Sequence, residues 1–409
     1  MNYSVQLNKI LPRLFLIITG LFPILPFKIK GIVGLFFIVI VLFSLKKRKL
    51  EINYLFLLNA SLFVIYFISL TYSDNFKEGI SKLETTLSLF IFPIGFLLLI
   101  ANKKAINNIV EYGNIFKYTF IASSFLLSIL IFMLSFNYGD YITQKVNINR
   151  FVYDLSEGFL WMKDHPIYLS IYLSISLFLI AELFNQAKRK YQIMLLLVGI
   201  FEVIVVFILS RKGVIISLLL SFLIFSLMKI KNKKKVLLYF FIFMTAILFL
   251  GQNYFPDTAK RFREVLDTKS YDEVVSYSST SIRHGIYKCS FEKIKESWLF
   301  GYGIGGEGEE LRECYKDKSE VLYIGNFNSH NQYLGIILRV GVFGLLLFIM
   351  SIILNLIFLY NRKDYSAFSI ILLLVFVMLT ENILDRQNGV ILFSLLINYF
   401  IYRNLILKN

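Results

Sequence analysis

Four polar side chains stand out in an otherwise strongly apolar chain, because their types suit the chemistry of a phosphorylated substrate. They are two arginines, a histidine and an aspartate: Arg211, Arg283, His330 and Asp385. A guanidinium group can bind two phosphate oxygens at once. An imidazole beside it can accept a proton near neutral pH. Together they suit a lipid-linked phosphorylated donor, provided that the fold brings them to one face of a membrane.

The composition places these residues in a membrane protein. Of the 409 residues, 57% are hydrophobic and only 17% are charged, whereas a soluble protein carries about 25% charged residues. Too few polar side chains remain to cover a water-soluble surface, so lipid must cover most of it. The net charge of +16 comes from short basic runs between apolar stretches. These runs lack the continuous basic face and aromatic interleaving of nucleic-acid-binding proteins, so we expect no nucleic-acid partner.

Twelve apolar stretches approach the roughly 20 residues that a helix needs to cross the bilayer. They predict an all-α integral membrane fold of about twelve transmembrane helices, near residues 11–27, 29–45, 52–71, 85–101, 118–137, 166–184, 192–209, 213–229, 236–251, 331–360, 366–383 and 389–404. The predicted organisation is helices 1–9 in residues 1–251, one large polar loop in 252–330, and helices 10–12 in 331–409.

The connecting segments predict the orientation of the bundle. Basic residues cluster in one alternating set of segments, which holds Lys46-Lys47-Arg48-Lys49, Lys103-Lys104, Lys188-Arg189-Lys190, Lys229 to Lys235 and Arg362-Lys363. The positive-inside rule places this set in the cytoplasm, together with both termini. The other set, which includes the 252–330 loop, then faces outward and carries all four candidate residues. We therefore expect a multi-pass protein of the bacterial inner membrane whose site faces the periplasm.

The outer loop contains three further features. It holds 13 of the 27 acidic residues, and its stretch Ser281 to Trp298 has the spacing of an amphipathic helix, which we expect to lie on the membrane face. Cys289 and Cys314 lie in a compartment that permits a disulfide, although two unpaired cysteines are the alternative. The run from Gly301 to Gly306 matches G-x-G-x-x-G without a strand before it, so it predicts a flexible turn that lets backbone approach a ligand or the membrane.

Neither a metal nor a cofactor is expected. The three histidines show no metal-ligand spacing, and the chain has no Asp-x-Asp, which metal-dependent nucleotide-sugar transferases commonly contain. The four candidate residues also have simpler roles open to them. Arg211 and Asp385 could be interfacial anchors, Arg283 could be a solvated loop charge, and His330 could merely start a helix.

Several motifs resemble those of the O-antigen ligase and polymerase family. The segment HNQYLGIILRVGVFG, from His330 to Gly344, fits the family signature of His-[Asn/Ser/Gln], nine residues, Gly, two residues, and Gly, Thr or Tyr. SRKG, from Ser210, resembles the family's Ser-Arg-x-Gly turn. The stretch from Arg283 through WLFGYGIGG resembles its arginine helix and Gly-rich turn, and HPIY, from His165, is also similar. The main motifs cover roughly residues 205–345.

This resemblance implies a C-type glycosyltransferase-like fold and a glycan donor on polyprenyl diphosphate. Arg211 and Arg283 would hold the diphosphate and stabilise its growing charge in place of a metal. His330 would deprotonate the acceptor hydroxyl, which attacks the anomeric carbon with inversion, and Asp385 would orient His330 or the acceptor.

Three functions remain open. A ligase would transfer the glycan to lipid A-core, and the complete fit to the histidine signature favours it. A polymerase would instead transfer the growing chain to the next lipid-linked repeat unit. A lipid or glycan transporter is the more distant alternative, since transporters usually hold their polar groups near the bilayer midplane.

Arg339 departs from the family pattern, in which this position is often acidic. Along a straight helix it would lie about 13 Å below His330, at 1.5 Å per residue. A charge at such depth in a membrane needs a partner. Glu202, in another predicted span, is the candidate, so the sequence predicts an Arg339–Glu202 pair.

Overall fold

The computed structural model describes residues 3–44, 52–100, 109–139, 148–156, 164–254, 263–265, 267–271, 273–276 and 278–407. Over these residues the secondary structure is helical, with no strand. The predicted cytoplasmic segments Lys46-Lys47-Arg48-Lys49 and Lys103-Lys104 lie outside the described residues.

The helices are numbered here in chain order. The first part of the chain forms α1 (Tyr3–Gly20), α2 (Ile32–Ser44), α3 (Tyr54–Ser69), α4 (Phe76–Thr86), α5 (Ser88–Ile100), α6 (Gly113–Ser135), α7 (Ile148–Ser156), α8 (Pro166–Phe184), α9 (Arg189–Leu209), α10 (Lys212–Lys229) and α11 (Lys233–Tyr254). The rest forms α12 (Ser279–Glu296), α13 (Glu307–Lys318), α14 (Glu320–Gly325), α15 (Gln332–Asn361), α16 (Tyr365–Val377) and α17 (Gln387–Ile406). Short 3-10 turns follow several of them, including Leu70–Tyr72 and Ile383–Asp385.

Eight helical segments within the described residues are long and apolar enough to cross a membrane, and the pair α4–α5, bent by 40°, is a ninth candidate. The chain is therefore an all-helical protein with the helices of an integral membrane protein. Three further predicted spans fall on α11, on the apolar part of α1 (Ile10–Gly20) and on the short helix α16. The structure describes the helix α11 through residues 236–251 but the side chains of only half of these residues. The count of twelve spans stays a prediction.

The centre of the bundle is formed by α17 and α8. Both helices are buried around most of their circumference, as expected of helices that are apolar on all sides. Neighbouring helices pack against them, since α5 contacts α17 and α9 contacts α8. Other helices of the bundle pair with one another, α15 with α3 and α10 with α16. By contrast, Leu196, Leu197 and Ile200 on α9 are exposed, which fits a helix that faces lipid.

Helices α12, α13 and α14 form a small layer with its own apolar cluster. Ile286, Cys289, Leu311 and Tyr315 are buried in this cluster, and Cys289 forms a disulfide with Cys314. The predicted amphipathic helix is thus present as α12. Its apolar face packs against its neighbouring helices, and its expected position on the membrane face stays a prediction. The disulfide ties α12 to α13, so the helix that carries Arg283 is covalently held in this layer.

Helix α15 is broken at Gly341, which has φ 67° and ψ −170°. The turn after α12 docks into this break, because the backbone N–H of Val342 donates to Trp298 (2.9 Å) and that of Tyr302 donates to Leu338 (2.7 Å). A side chain at Gly341 would collide with the Leu299 carbonyl. The signature glycine therefore serves a close approach between two backbone segments at a left-handed position.

The Gly-rich turn also contacts the C-terminal end of α3. Gly303 has a φ of 76°, and a Cβ there would collide with Ser73. The next two backbone N–H groups donate to the hydroxyl groups of Ser69 (3.1 Å) and Ser73 (2.8 Å). The turn therefore approaches another surface closely, as predicted, but that surface is the protein's own chain at Ser69 and Ser73. The close approach of its backbone is to this segment and not to a ligand or the membrane.

Candidate functional site

A polar cleft of about 520 Å³ opens where five segments meet. They are the start of α8, the junction of α9 and α10, the first turns of α12, the start of α15, and the loop between α16 and α17. The charged and imidazole side chains that line the cleft are His165, Arg211, Arg283, His330, Glu381 and Arg386. The structure thus brings Arg211, Arg283 and His330 together from distant parts of the sequence.

Arg211 is positioned by a sharp turn between two helices. Ser210 ends α9 in the left-handed conformation (φ 54°), and Arg211 is the extended residue that precedes α10. Gly213 follows, and a Cβ at this position would collide with the side chain of Thr380. The Ser-Arg-x-Gly sequence therefore lets the start of α10 lie directly against the turn that leads to Glu381.

His330 is held in a strained turn immediately before α15. Its φ is 43°, a left-handed conformation that is uncommon for residues other than glycine. Its backbone N–H donates to Asn328 Oδ1 at 3.2 Å, and its carbonyl accepts from the Tyr287 hydroxyl at 3.3 Å. Asn331 then caps α15, because its side chain accepts from the backbone of Tyr333 and Leu334. These contacts fix the direction in which the imidazole enters the cleft.

Glu381 is the acidic residue at the centre of the cleft. Its Oε2 lies 3.3 Å from His330 Nδ1, and its Oε1 accepts a hydrogen bond from Arg283 Nη2. Burial favours a raised pKa for this carboxyl group, but the hydrogen bond with His330 and the charge of Arg283 lower its pKa to about 2. Glu381 therefore remains a carboxylate and joins the histidine to one arginine.

Glu381 is not among the predicted site residues, because the apolar stretch 366–383 predicts one continuous span. In the structure α16 ends at Val377, and the backbone of Gln332 donates to Met378 at 2.8 Å. The loop between α16 and α17 is thus longer than predicted and includes Glu381. A carboxylate at the end of a span, four residues before Asp385, is the signal that could have identified it.

Among the hydrogen bonds of the described residues, Asp385 has none to His330, so the prediction that it orients His330 directly is wrong, and its alternative role toward the acceptor stays a prediction. It accepts two hydrogen bonds from Arg339, Nη1 to Oδ1 at 2.7 Å and Nη2 to Oδ2 at 2.6 Å. Asn328 also donates to it at 3.3 Å. Since Asn328 accepts from the His330 backbone, Asp385 reaches the histidine only through this asparagine. Its contacts anchor the loop between α16 and α17.

The predicted Arg339–Glu202 pair is also wrong. Arg339 is almost fully buried and pairs with Glu307, at the start of α13, as well as with Asp385. Glu202 instead accepts from the Ser176 hydroxyl at 3.0 Å, inside the bundle. The break at Gly341 explains the difference, because Arg339 precedes it and lies near the C-terminal end of α3, with its guanidinium 6.0 Å from the Tyr66 ring.

Two cleft residues, His165 and Arg386, extend the predicted site. His165 precedes α8, and its Nδ1 accepts a hydrogen bond from the backbone N–H of Ile167 at 3.4 Å. Burial, together with the charges of Arg211 and Arg386, lowers the pKa of His165 to about 3. Its imidazole is therefore neutral at physiological pH, with the ring proton on Nε2.

The charge of the cleft is positive. Arg211, Arg283 and Arg386 contribute three positive charges, and Glu381 contributes one negative charge. Among the described residues, no group of three or more His, Cys, Asp or Glu side chains is placed to hold a metal ion. The cationic groups that this cleft offers to an anionic ligand are its guanidinium groups.

The fold and the cleft define an all-helical membrane protein with an arginine-rich polar site at the helix ends. Residues 193–349 match the family described as O-antigen ligase, so this region of the chain is similar to the O-antigen ligase family. The family implies an activity of the O-antigen ligase or polymerase type. The match includes Arg211, Arg283 and His330, whereas Glu381 and Arg386 lie beyond it. No curated protein sequence matches the chain.

Proposed function

We propose that the protein transfers a glycan from polyprenyl diphosphate to an acceptor hydroxyl at the periplasmic face of the inner membrane. The observation that carries this proposal is the chain of contacts from Arg283 through Glu381 to His330, which lies in one cleft with Arg211. It combines a base with cationic groups for a departing phosphate. The cleft also lies at the helix ends, whereas a transporter usually binds near the midplane.

His330 is the proposed general base. When the Nδ1–H of His330 donates a hydrogen bond to Glu381, Nε2 carries the lone pair and can accept the proton of the acceptor hydroxyl. The negative Glu381 then stabilises the imidazolium that forms. This is the role of a carboxylate that orients a histidine base, and Glu381 takes it in place of Asp385.

The arginines are proposed to act on the leaving group. As the acceptor oxygen bonds to the anomeric carbon, the bond from that carbon to the diphosphate breaks, and its electron pair goes to the diphosphate oxygen. Arg211 and the part of Arg283 that does not bond Glu381 would stabilise this charge. Attack from the face opposite the leaving group inverts the anomeric centre, and the arginines supply positive charge without a metal.

Substitution of the proposed base, His330, and of the two arginines that would bind the diphosphate, Arg211 and Arg283, tests this mechanism. In purified protein with a lipid-diphosphate-linked glycan donor, His330→Ala should keep donor binding and slow transfer by about 10²–10⁴-fold, the usual contribution of a positioned base. Arg211→Lys and Arg283→Lys should lose most activity, because an ammonium group cannot bind two phosphate oxygens in a planar fork. Loss of donor binding without slower turnover in His330→Ala would show that the base is elsewhere. Full activity in both lysine variants would show that other residues bind the diphosphate.

The proposed acceptor is lipid A-core, which makes the enzyme an O-antigen ligase. An O-antigen or capsular polysaccharide polymerase is the alternative, since it uses the same donor chemistry with a lipid-linked repeat unit as acceptor. A gene deletion followed by lipopolysaccharide gels distinguishes the two. A ligase deletion should remove all long chains from the lipid anchor while lipid-linked polymer accumulates, and a polymerase deletion should leave a single repeat on the core.

A further inference from the structure

Arg386 is the third arginine of the cleft, and the mechanism above does not use it. It immediately precedes α17, its side chain is exposed, and it lines the cleft. Within the part of the chain that the structure describes, its guanidinium group forms no hydrogen bond or ion pair. The side chain is therefore available to a ligand.

The residues around Arg386 are held in place. Asp385, its neighbour in the chain, is bound by both terminal nitrogens of Arg339 and so does not neutralise it. The backbone of Leu384 donates to Gln332 at 2.8 Å, and Asn388 donates to the buried Asp164. Anchors on both sides of Arg386 thus fix the backbone from which its side chain enters the cleft.

The other cationic groups of the cleft are unequally available. Arg283 is bonded to Glu381, which neutralises much of its charge. Arg386 has no such partner among the described residues, and its charge, like that of Arg211, acts on the neutral imidazole of His165. Because Nδ1 of His165 is an acceptor, its Nε2–H is an additional uncharged donor. Arg211, Arg386 and this N–H donor thus line the same cleft as the pair that Glu381 joins.

We propose that Arg386 binds the diphosphate of the lipid-linked donor together with Arg211, while His165 contributes an uncharged hydrogen bond. This inference rests on the proposed function. A diphosphate esterified at both ends carries two negative charges, which Arg211 and Arg386 match. Arg283 then meets the additional charge that develops when the glycan departs. This division of roles among the arginines explains why the cleft holds three of them although Arg283 is paired with a carboxylate.

The test measures binding of polyprenyl diphosphate, the leaving group itself, to full-length protein in lipid nanodiscs. Arg386→Gln should weaken binding by roughly 10–100-fold, which is the scale of a lost charge-assisted contact. Arg386→Lys should be intermediate, because it keeps the charge without the fork. The matched control is Arg312→Gln, which removes a positive charge from α13, where Arg312 lies over the Tyr323 ring. The control should bind like wild type.

The possible results separate this inference from the proposed function. If wild type binds the diphosphate and Arg386→Gln binds equally well, the assignment of Arg386 is wrong and the proposed function stands. If wild type does not bind polyprenyl diphosphate at all, both fail. Thermal unfolding is measured in parallel, and if Arg386→Gln is unfolded, Arg386→Lys decides: undiminished binding by this variant contradicts a planar diphosphate contact.

Discussion

Replacement of Glu381 by glutamine removes the charge between His330 and Arg283 while it keeps the shape of the side chain. In the structure this carboxylate accepts from Arg283 and contacts His330 at 3.3 Å. Without the charge, the histidine loses both its orientation and the stabilisation of its protonated form. We expect transfer to slow by about 10²–10⁴-fold, comparable to loss of the base. Donor binding should stay equal or become tighter, because the positive charge of the cleft rises by one.

The effect on stability can be worked out from the pKa of this group. The pKa of Glu381 lies at about 2, whereas its ordinary value is 4.5. Since one pKa unit corresponds to about 1.4 kcal/mol, the net effect of the surroundings favours the carboxylate by about 3 kcal/mol. A lowered folded-state pKa gives stability that is present above about pH 4.5 and is lost as the pH falls toward 2. Glu381→Gln should therefore lower the free energy of unfolding at neutral pH by up to about 3 kcal/mol and remove this acid dependence.

Three measurements check the prediction: turnover of a lipid-diphosphate-linked glycan, donor binding, and thermal unfolding between about pH 2 and 7. Glu320→Gln is the matched control, because Glu320 is an exposed carboxylate at the start of α14. It should leave all three unchanged. Normal turnover in Glu381→Gln would refute the role of this carboxylate in catalysis. Weaker donor binding with an unchanged rate for bound donor would place Glu381 on the donor instead.

Other predictions follow from the anchors and the topology. Arg339→Met should lower the free energy of unfolding by about 3–5 kcal/mol, because the substitution leaves buried carboxylates unpaired. Adding Asp385→Asn should restore part of this free energy. A double variant no more stable than Arg339→Met would contradict the pairing. Cys289→Ser should cost about 3.5 kcal/mol by the chain-entropy relation for the 25-residue separation from its partner, measured by denaturant unfolding under non-reducing conditions. Reporter fusions after Lys363 should read cytoplasmic and those near Lys316 periplasmic, and a cytoplasmic result at Lys316 would overturn the periplasmic site.

The helical membrane fold follows from local sequence. A stretch of about 20 apolar residues can satisfy its backbone in lipid only as a helix, so hydropathy alone locates most of the observed helices. The alternative of a soluble chain fails on composition alone. The ends of these helices are less determined, because a helix such as α16 stops at Val377 although apolar residues continue to Leu379.

Part of the candidate site was also accessible from sequence. Arg211 and His330 lie at the ends of apolar stretches, and Arg283 lies on an amphipathic segment of the outer loop. Because spans must alternate across the membrane, the sequence predicts that these residues lie on one face. Their residue types then indicated phosphate binding and proton transfer. Membrane topology thus indicates which distant residues share one face, as closeness in sequence does for the residues of a short motif.

The pairing of charges, in contrast, was decided only by the tertiary structure. Asp385 and Glu381 lie four residues apart in one loop, and nothing in their local sequence states which of them faces His330. The answer depends on the break at Gly341, which places Arg339 where it binds Asp385 and leaves Glu381 to the cleft. Hydropathy fixes which segments lie in lipid, because burial of apolar surface is non-directional. Ion pairs require atoms within about 3 Å in a defined orientation, and only the packed chain sets those positions.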